Sequence, residues 1–129
     1  MRARDALGRP VPQGSPDAVD PVPDWVLPPE QALDLAQSLL DEGRAFFALE
    51  VLEAVWKHCP ATERDYWQGL TQLCVGVTHL QRGNPDGAVT LLRRGAGKLS
   101  GRLAAWGTAA ADRIAAGDLT ALSLRLRDS

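Results

Sequence analysis

Residues 43–56 read G-R-A-F-F-A-L-E-V-L-E-A-V-W. Wound at about 100° per residue, they put Ala48, Leu49, Val51, Leu52, Val55 and Trp56, with Cys59 just beyond, on one broad arc. That is the pattern of a helix burying one side. Glu53 falls at the edge of the arc, and Glu50, three residues before it, is its neighbour on the helix surface. Such a pair is placed to meet a cation, a proton or an arginine, and equally serves as solvated flank residues of good helix propensity. The stretch names no reaction.

Working back from it, Gly43 is the left-handed cap of an earlier helix that opens at Pro28-Pro29-Glu30-Gln31. Proline is accepted in a first turn and glutamate suits the positive end of the dipole. Ala32, Leu35, Ala36, Leu39 and Leu40 give that helix its apolar stripe. The short link makes the two helices an antiparallel hairpin. Residues 1–27 are rich in proline, glycine and charge with almost no apolar period, so they are expected to form a flexible, disordered leader. Its end, Asp24-Trp25-Val26-Leu27, is read as a staple packing back on the first turn.

Working forward, Pro60 ends the second helix, and Thr62 with Asp65 resembles a capping box. A third helix is expected over 63–82, with Tyr66, Leu70, Leu73, Val77 and Leu80 on its main apolar arc. Gly69 and Gly76 lie beside that arc and would admit a close neighbouring helix. On nearly the opposite side, Gln68, Gln72 and His79 form a polar stripe. Amides and an imidazole can hold a ligand or orient a carboxylate, and the second helix would present Glu50 and Glu53 to them. These five residues are the candidate polar pocket.

Gly83-Asn84-Pro85-Asp86 closes the third helix and opens a fourth, with Ala88, Leu91, Leu92, Ala96 and Leu99 inward. Arg93, Arg94 and Lys98 sit toward its negative end as dipole partners. Leu103, Trp106, Gly107, Ala110 and Ile114 mark a fifth helix over 102–116. Beyond Gly117, Asp118 is read as the N-cap of a short last helix. The alternation of Leu122, Leu124 and Leu126 also fits a strand, but a lone strand has nothing to pair with. The expected fold is therefore all-α: antiparallel hairpins packed as a four- to five-helix bundle over 28–129, following the leader 1–27.

A net charge of −2 and a pI near 5.6 give no basic field for nucleic acid or anionic lipid. No apolar run approaches the roughly 20 residues of a membrane span, and residues 1–10 lack a signal-peptide core. A cytoplasmic protein that uses neither nucleic acid nor membrane is expected. Cys59 and Cys74 lack C-x-x-C spacing and fall within predicted helices, so reduced packing thiols are expected rather than a disulfide or zinc site.

Residues 31–99 resemble the family known as domain of unknown function 309, small bacterial and archaeal helical proteins. The likeness rests on the 43–56 stretch, on Y-W-Q-G-L-T-Q at 66–72 and on H-L-Q-R-G-N-P-D-G-A at 79–88. Gly117-Asp118-Leu119 is similar in part to the family's last helix. The resemblance implies an all-helical bundle and no established biochemical role. Members usually carry histidine directly before the first glutamate of the second-helix motif, where this chain has Leu49. If the family's histidine and glutamates formed a metal or acid–base constellation, this chain lacks one ligand. The remaining set has too few nitrogen donors for zinc and suits a harder cation.

Two functions follow. The first is a non-enzymatic module that binds a protein partner or itself, needing no cofactor, with Trp25, Trp67 and Trp106 as candidates for an exposed apolar patch. The alternative is an acid–base or divalent-metal-assisted hydrolase with its pocket between the second and third helices, Glu53 as base and His79 as acid or ligand. The chain has no Gly-rich phosphate loop, no H-E-x-x-H and no nucleophile elbow.

Overall fold

The structure, a computed structural model, describes residues 3–19 and 26–127. Its helices are α1 (Pro29–Asp41), α2 (Ala45–His58), α3 (Arg64–Gln81), α4 (Pro85–Lys98) and α5 (Gly101–Ala115), with a 3-10 turn, Ala61–Glu63, before α3. No strand occurs among the described residues. No helix among them is long and apolar enough to cross a membrane.

Each helix packs chiefly on the next in sequence, because the chain reverses within a few residues at each junction. Gly43, Gly83 and Gly117 take φ of 76°, 78° and 100° and close the same helix-ending motif. At Gly43, its N–H donates to the Leu40 carbonyl (3.0 Å) and the Arg44 N–H to that of Leu39 (2.8 Å). The carbonyls left over at the helix end are thus satisfied while the backbone turns back. Asn84 caps α4 as expected, its Oδ1 accepting the Gly87 N–H at 3.0 Å.

Of the arc read from this stretch, Ala48, Val51, Leu52 and Val55 are buried and join Leu70, Leu73 and Leu92 in one core, while Leu49, Trp56 and Cys59 are half-buried against it. The arc of α3 is rotated from expectation. Trp67 is 2% exposed and is a core residue rather than part of a surface patch, whereas Tyr66 is 38% exposed. Burial of the indole is permitted because its Nε1–H donates to Glu63 Oε1 at 3.2 Å. Glu63 thereby serves Trp67, and neither Thr62 nor Asp65 builds the expected capping box, since the α3 N-cap has no side-chain cap bond.

Glycines set the spacing of α3, α4 and α5. A Cβ on Gly69 would lie 2.7 Å from Leu99 Cγ, and one on Gly76 would lie 2.6 Å from Leu92 Cγ and 3.2 Å from the Ala88 carbonyl. Gly107 meets Leu73 Cδ2 at 2.9 Å in the same way. Backbone thus touches side chain directly, as the placement of Gly69 and Gly76 predicted.

Two segments complete the molecule. Residues 118–127 contain no helix, against the expectation of a short one from Asp118. Across 122–126 burial alternates as in an extended chain, in the seam between α1 and α5, with Leu124 and Leu126 buried at 4% and 2% exposure, and the chain bends at 126–127. A lone extended segment is tolerated because helix side chains, rather than a neighbouring strand, satisfy its backbone. At the other end, residues 3–19 are non-helical, and the turn 4–10 sits on α2 and the end of α3. Of the expected staple, Asp24 and Trp25 lie outside the described residues. Leu27 packs on the core, and Val26 is exposed.

Candidate functional site

The five residues of the candidate polar pocket are all half-buried. Glu53 accepts from Lys57 Nζ at 3.4 Å on the outer face of its own helix. His79 points to the α3–α4 junction, where its Nδ1 lies 3.1 Å from Asn84 Nδ2. An amide nitrogen only donates, so Nδ1 is the acceptor in this contact. With Asn84 Oδ1 on the Gly87 N–H, His79, Asn84 and Gly87 form a lock at the start of α4. The lock is tight, since a Cβ on Gly87 would lie 2.4 Å from Asn84 Nδ2 and 3.0 Å from His79 Nδ1.

Gln68 and His79 are eleven residues apart on α3, about 16 Å along its axis. One bound atom cannot touch both. Gln72 lies between them, and its Oε1 is buried with no hydrogen-bond partner. Among the described residues no group of three or more His, Cys, Asp or Glu side chains comes together as a metal site would require.

The chemistry of the α1–α5 seam is more concentrated. Glu30, Asp34, Gln37 and Asp41 follow one another on one face of α1 at helical spacing. The Gln37 amide grips the extended segment at two points: Oε1 accepts the Leu126 N–H at 2.8 Å, and Nε2 donates to the Leu124 carbonyl at 3.1 Å. Arg127 pairs with Glu30 and Asp34, and Arg125 with Asp41 at 3.5 Å. From the α5 side, Trp106 Nε1 donates to the Ser123 carbonyl at 3.0 Å and Arg113 to the Thr120 carbonyl at 2.6 Å. Trp106 is thus half-buried and engaged rather than an open patch. Sequence reasoning missed this seam, although the Leu122, Leu124, Leu126 alternation was its visible sign.

The N-terminal turn is built around Asp5, whose carboxylate accepts the Leu7 N–H (3.0 Å), the Arg9 N–H (2.9 Å) and Arg9 Nε (2.8 Å). Burial pushes its pKa up, but the Arg9 and Leu7 donors and the Arg9 charge outweigh that and hold the carboxyl below the usual range. Arg82 donates to the Leu7 carbonyl, and Arg4 and Arg82 stack on Phe46 at 4.9 and 5.0 Å from the ring centre. The leader is therefore in contact with the bundle at this point.

A shallow apolar cleft of about 170 Å³ lies where Val26 and Leu27 meet Val55, Cys59 and Trp67. Small-molecule sites typically occupy roughly 300–1,000 Å³, so this cleft accepts no more than a side chain or two. Cys74 is fully enclosed, and burial pushes its thiol up to about 12. Cys59 is half-buried and also free.

Residues 33–91 match the family model described as Domain of unknown function (DUF309), the family that the three sequence motifs resemble. The match runs from α1 into α4 and contains all three motifs, while α5 and the extended C-terminal segment lie beyond it. No curated protein and no solved structure matches the chain.

Proposed function

We propose that this protein, whose residues 33–91 match the DUF309 family model, is a non-enzymatic cytoplasmic module that works by binding protein chain, copies of itself included. The observation that carries this reading is the way the bundle holds its own irregular segments. Gln37 on α1, Arg82 at the C-cap of α3, and Trp106 and Arg113 on α5 all bond to main-chain groups of non-helical chain. Bonds aimed at a backbone secure an extended peptide whatever its side chains, and the pockets beside them then select which side chains fit. The glycine-spaced packing of α3, α4 and α5 supplies a stiff support. Free thiols at Cys59 and Cys74 suit a reducing compartment.

The hydrolase alternative requires Glu53 and His79 to face a single substrate, and the pairing of one with Lys57 and the other with Asn84 speaks against it. Light-scattering mass of the purified full chain, measured from dilute to concentrated solution alongside its metal content, separates the two. The module reading predicts a mass that rises with concentration and is unchanged by Glu53→Ala. Stoichiometric divalent metal that disappears in Glu53→Ala would overturn it.

A further inference from the structure

We infer that the seam between α1 and α5 is a docking groove for an extended Leu-x-Leu-Arg segment, and that the groove of one copy takes the C-terminal segment of a second copy, the two exchanging reciprocally. This inference rests on the interaction reading above and names its surface and partner.

Residues 118–127 are held as a peptide ligand is held. The Leu124 carbonyl and the Leu126 N–H point to the same side of an extended chain, and the Gln37 amide matches that pair with one acceptor and one donor. Leu124 and Leu126, two apart, face the core together, while Arg125 and Arg127 turn to the other face. There they meet Asp41, Asp34 and Glu30 on a helix that carries no lysine or arginine of its own. The groove thus reads apolar, basic, apolar, basic in order, by shape, by backbone and by charge.

Every copy of the chain carries that pattern, and the connection to it behaves as a hinge. Residues 116–121 are all exposed, beginning at the left-handed Gly117, and Arg113 ties them to α5 by surface bonds to Asp118, Thr120 and Ala121 that must release for the segment to swing, while no core contact depends on the path they take. A segment swung out at this hinge into a neighbour's groove makes the same contacts with Gln37, Asp34 and Asp41 as it makes at home. The closed and exchanged forms differ in the hinge and in the cost of association, so concentration selects between them.

Charge exchange in full-length chains tests this. One variant carries Arg125→Glu with Arg127→Glu, and the other carries Asp34→Lys with Asp41→Lys. All four sites lie on the surface of the helix or segment, so the helical circular dichroism serves as the folding control. Each variant alone meets like charge in its own groove, whereas a reciprocal pair of the two meets opposite charge in both. The expected result is single-chain mass for each variant and twice that mass on mixing, in equal proportion. A chain carrying all four substitutions should close on itself and retain the single-chain mass at the same concentration.

Three outcomes would overturn the inference: a mixture that keeps the single-chain mass, a mixed dimer that survives Leu124→Asp in both chains, and a groove that binds a synthetic Leu-x-Leu-Arg peptide without chains ever exchanging. The first of these, seen together with a concentration-dependent mass in the wild type, would leave the broader interaction reading intact and remove only this surface.

Discussion

Gly76→Ala and Gly97→Ala are the same chemical change in two exposed-to-buried extremes of the helical packing, and they are expected to move stability in opposite directions. Alanine is favoured over glycine in a helix by about 1 kcal/mol, because it restricts the unfolded backbone more. At Gly97 the new methyl meets nothing within 4 Å, so that gain is realised, reduced by fraying because the residue lies in the last turn of α4. At Gly76 the methyl would lie 2.6 Å from Leu92 Cγ and 2.9 Å from Leu92 Cδ2, with the Ala88 carbonyl at 3.2 Å. Leu92 is fully buried and the Ala88 carbonyl is backbone, so relief requires α3 and α4 to move apart. Overpacking of this kind costs about 1–3 kcal/mol, and two contacts under 3.0 Å put Gly76→Ala in the upper half of that range, so a net loss of about 1–2 kcal/mol remains after the propensity gain. Urea unfolding followed by circular dichroism reads both values on one scale. A Gly76→Ala protein as stable as the wild type would show that α3 and α4 do not approach as closely as the structure has them.

The remaining predictions concern the thiols and the N-terminal turn. A thiol reagent applied to the native protein should label Cys59 and leave Cys74 untouched until denaturant is added, because burial pushes the Cys74 thiol up to about 12 and encloses it; rapid labelling of both would contradict the packing of α3. The Asp5 carboxyl is held below its ordinary value of 3.8, so its contribution to the turn is complete above that pH and is lost as pH falls through the lower folded value. Amide resonances of Leu7 and Arg9 should therefore shift together only below about pH 4. A transition near neutrality would mean that another group governs the turn.

Most of the fold could be read from the sequence because its signals are local. Gly43 and Gly83 mark reversals that only a left-handed residue makes without strain, and the apolar arcs of α1, α2 and α4 follow from helical spacing. The arc of α3 was harder, since Tyr66 and Trp67 are adjacent aromatics and packing on the neighbouring helices decides which one turns inward, the Trp67 indole then being satisfied locally by Glu63, four residues earlier. The C-terminal segment was misread for a related reason. Its alternating leucines were visible, but the group that satisfies its backbone is Gln37, some ninety residues away in sequence, and spacing carries no trace of that. His79 was likewise recognisable as a polar group on α3, while its attachment to Asn84 depends on how tightly the next turn closes.

The grip of α1 on the extended C-terminal segment is tested most directly by hydrogen exchange at the Leu126 amide. With Gln37 Oε1 accepting it at 2.8 Å and the side chain buried, this N–H should exchange far more slowly than that of the exposed Leu119, and Gln37→Ala should abolish the difference while the amides of α3 keep theirs. Exchange at Leu126 as fast as at Leu119 in the wild-type protein would contradict the account.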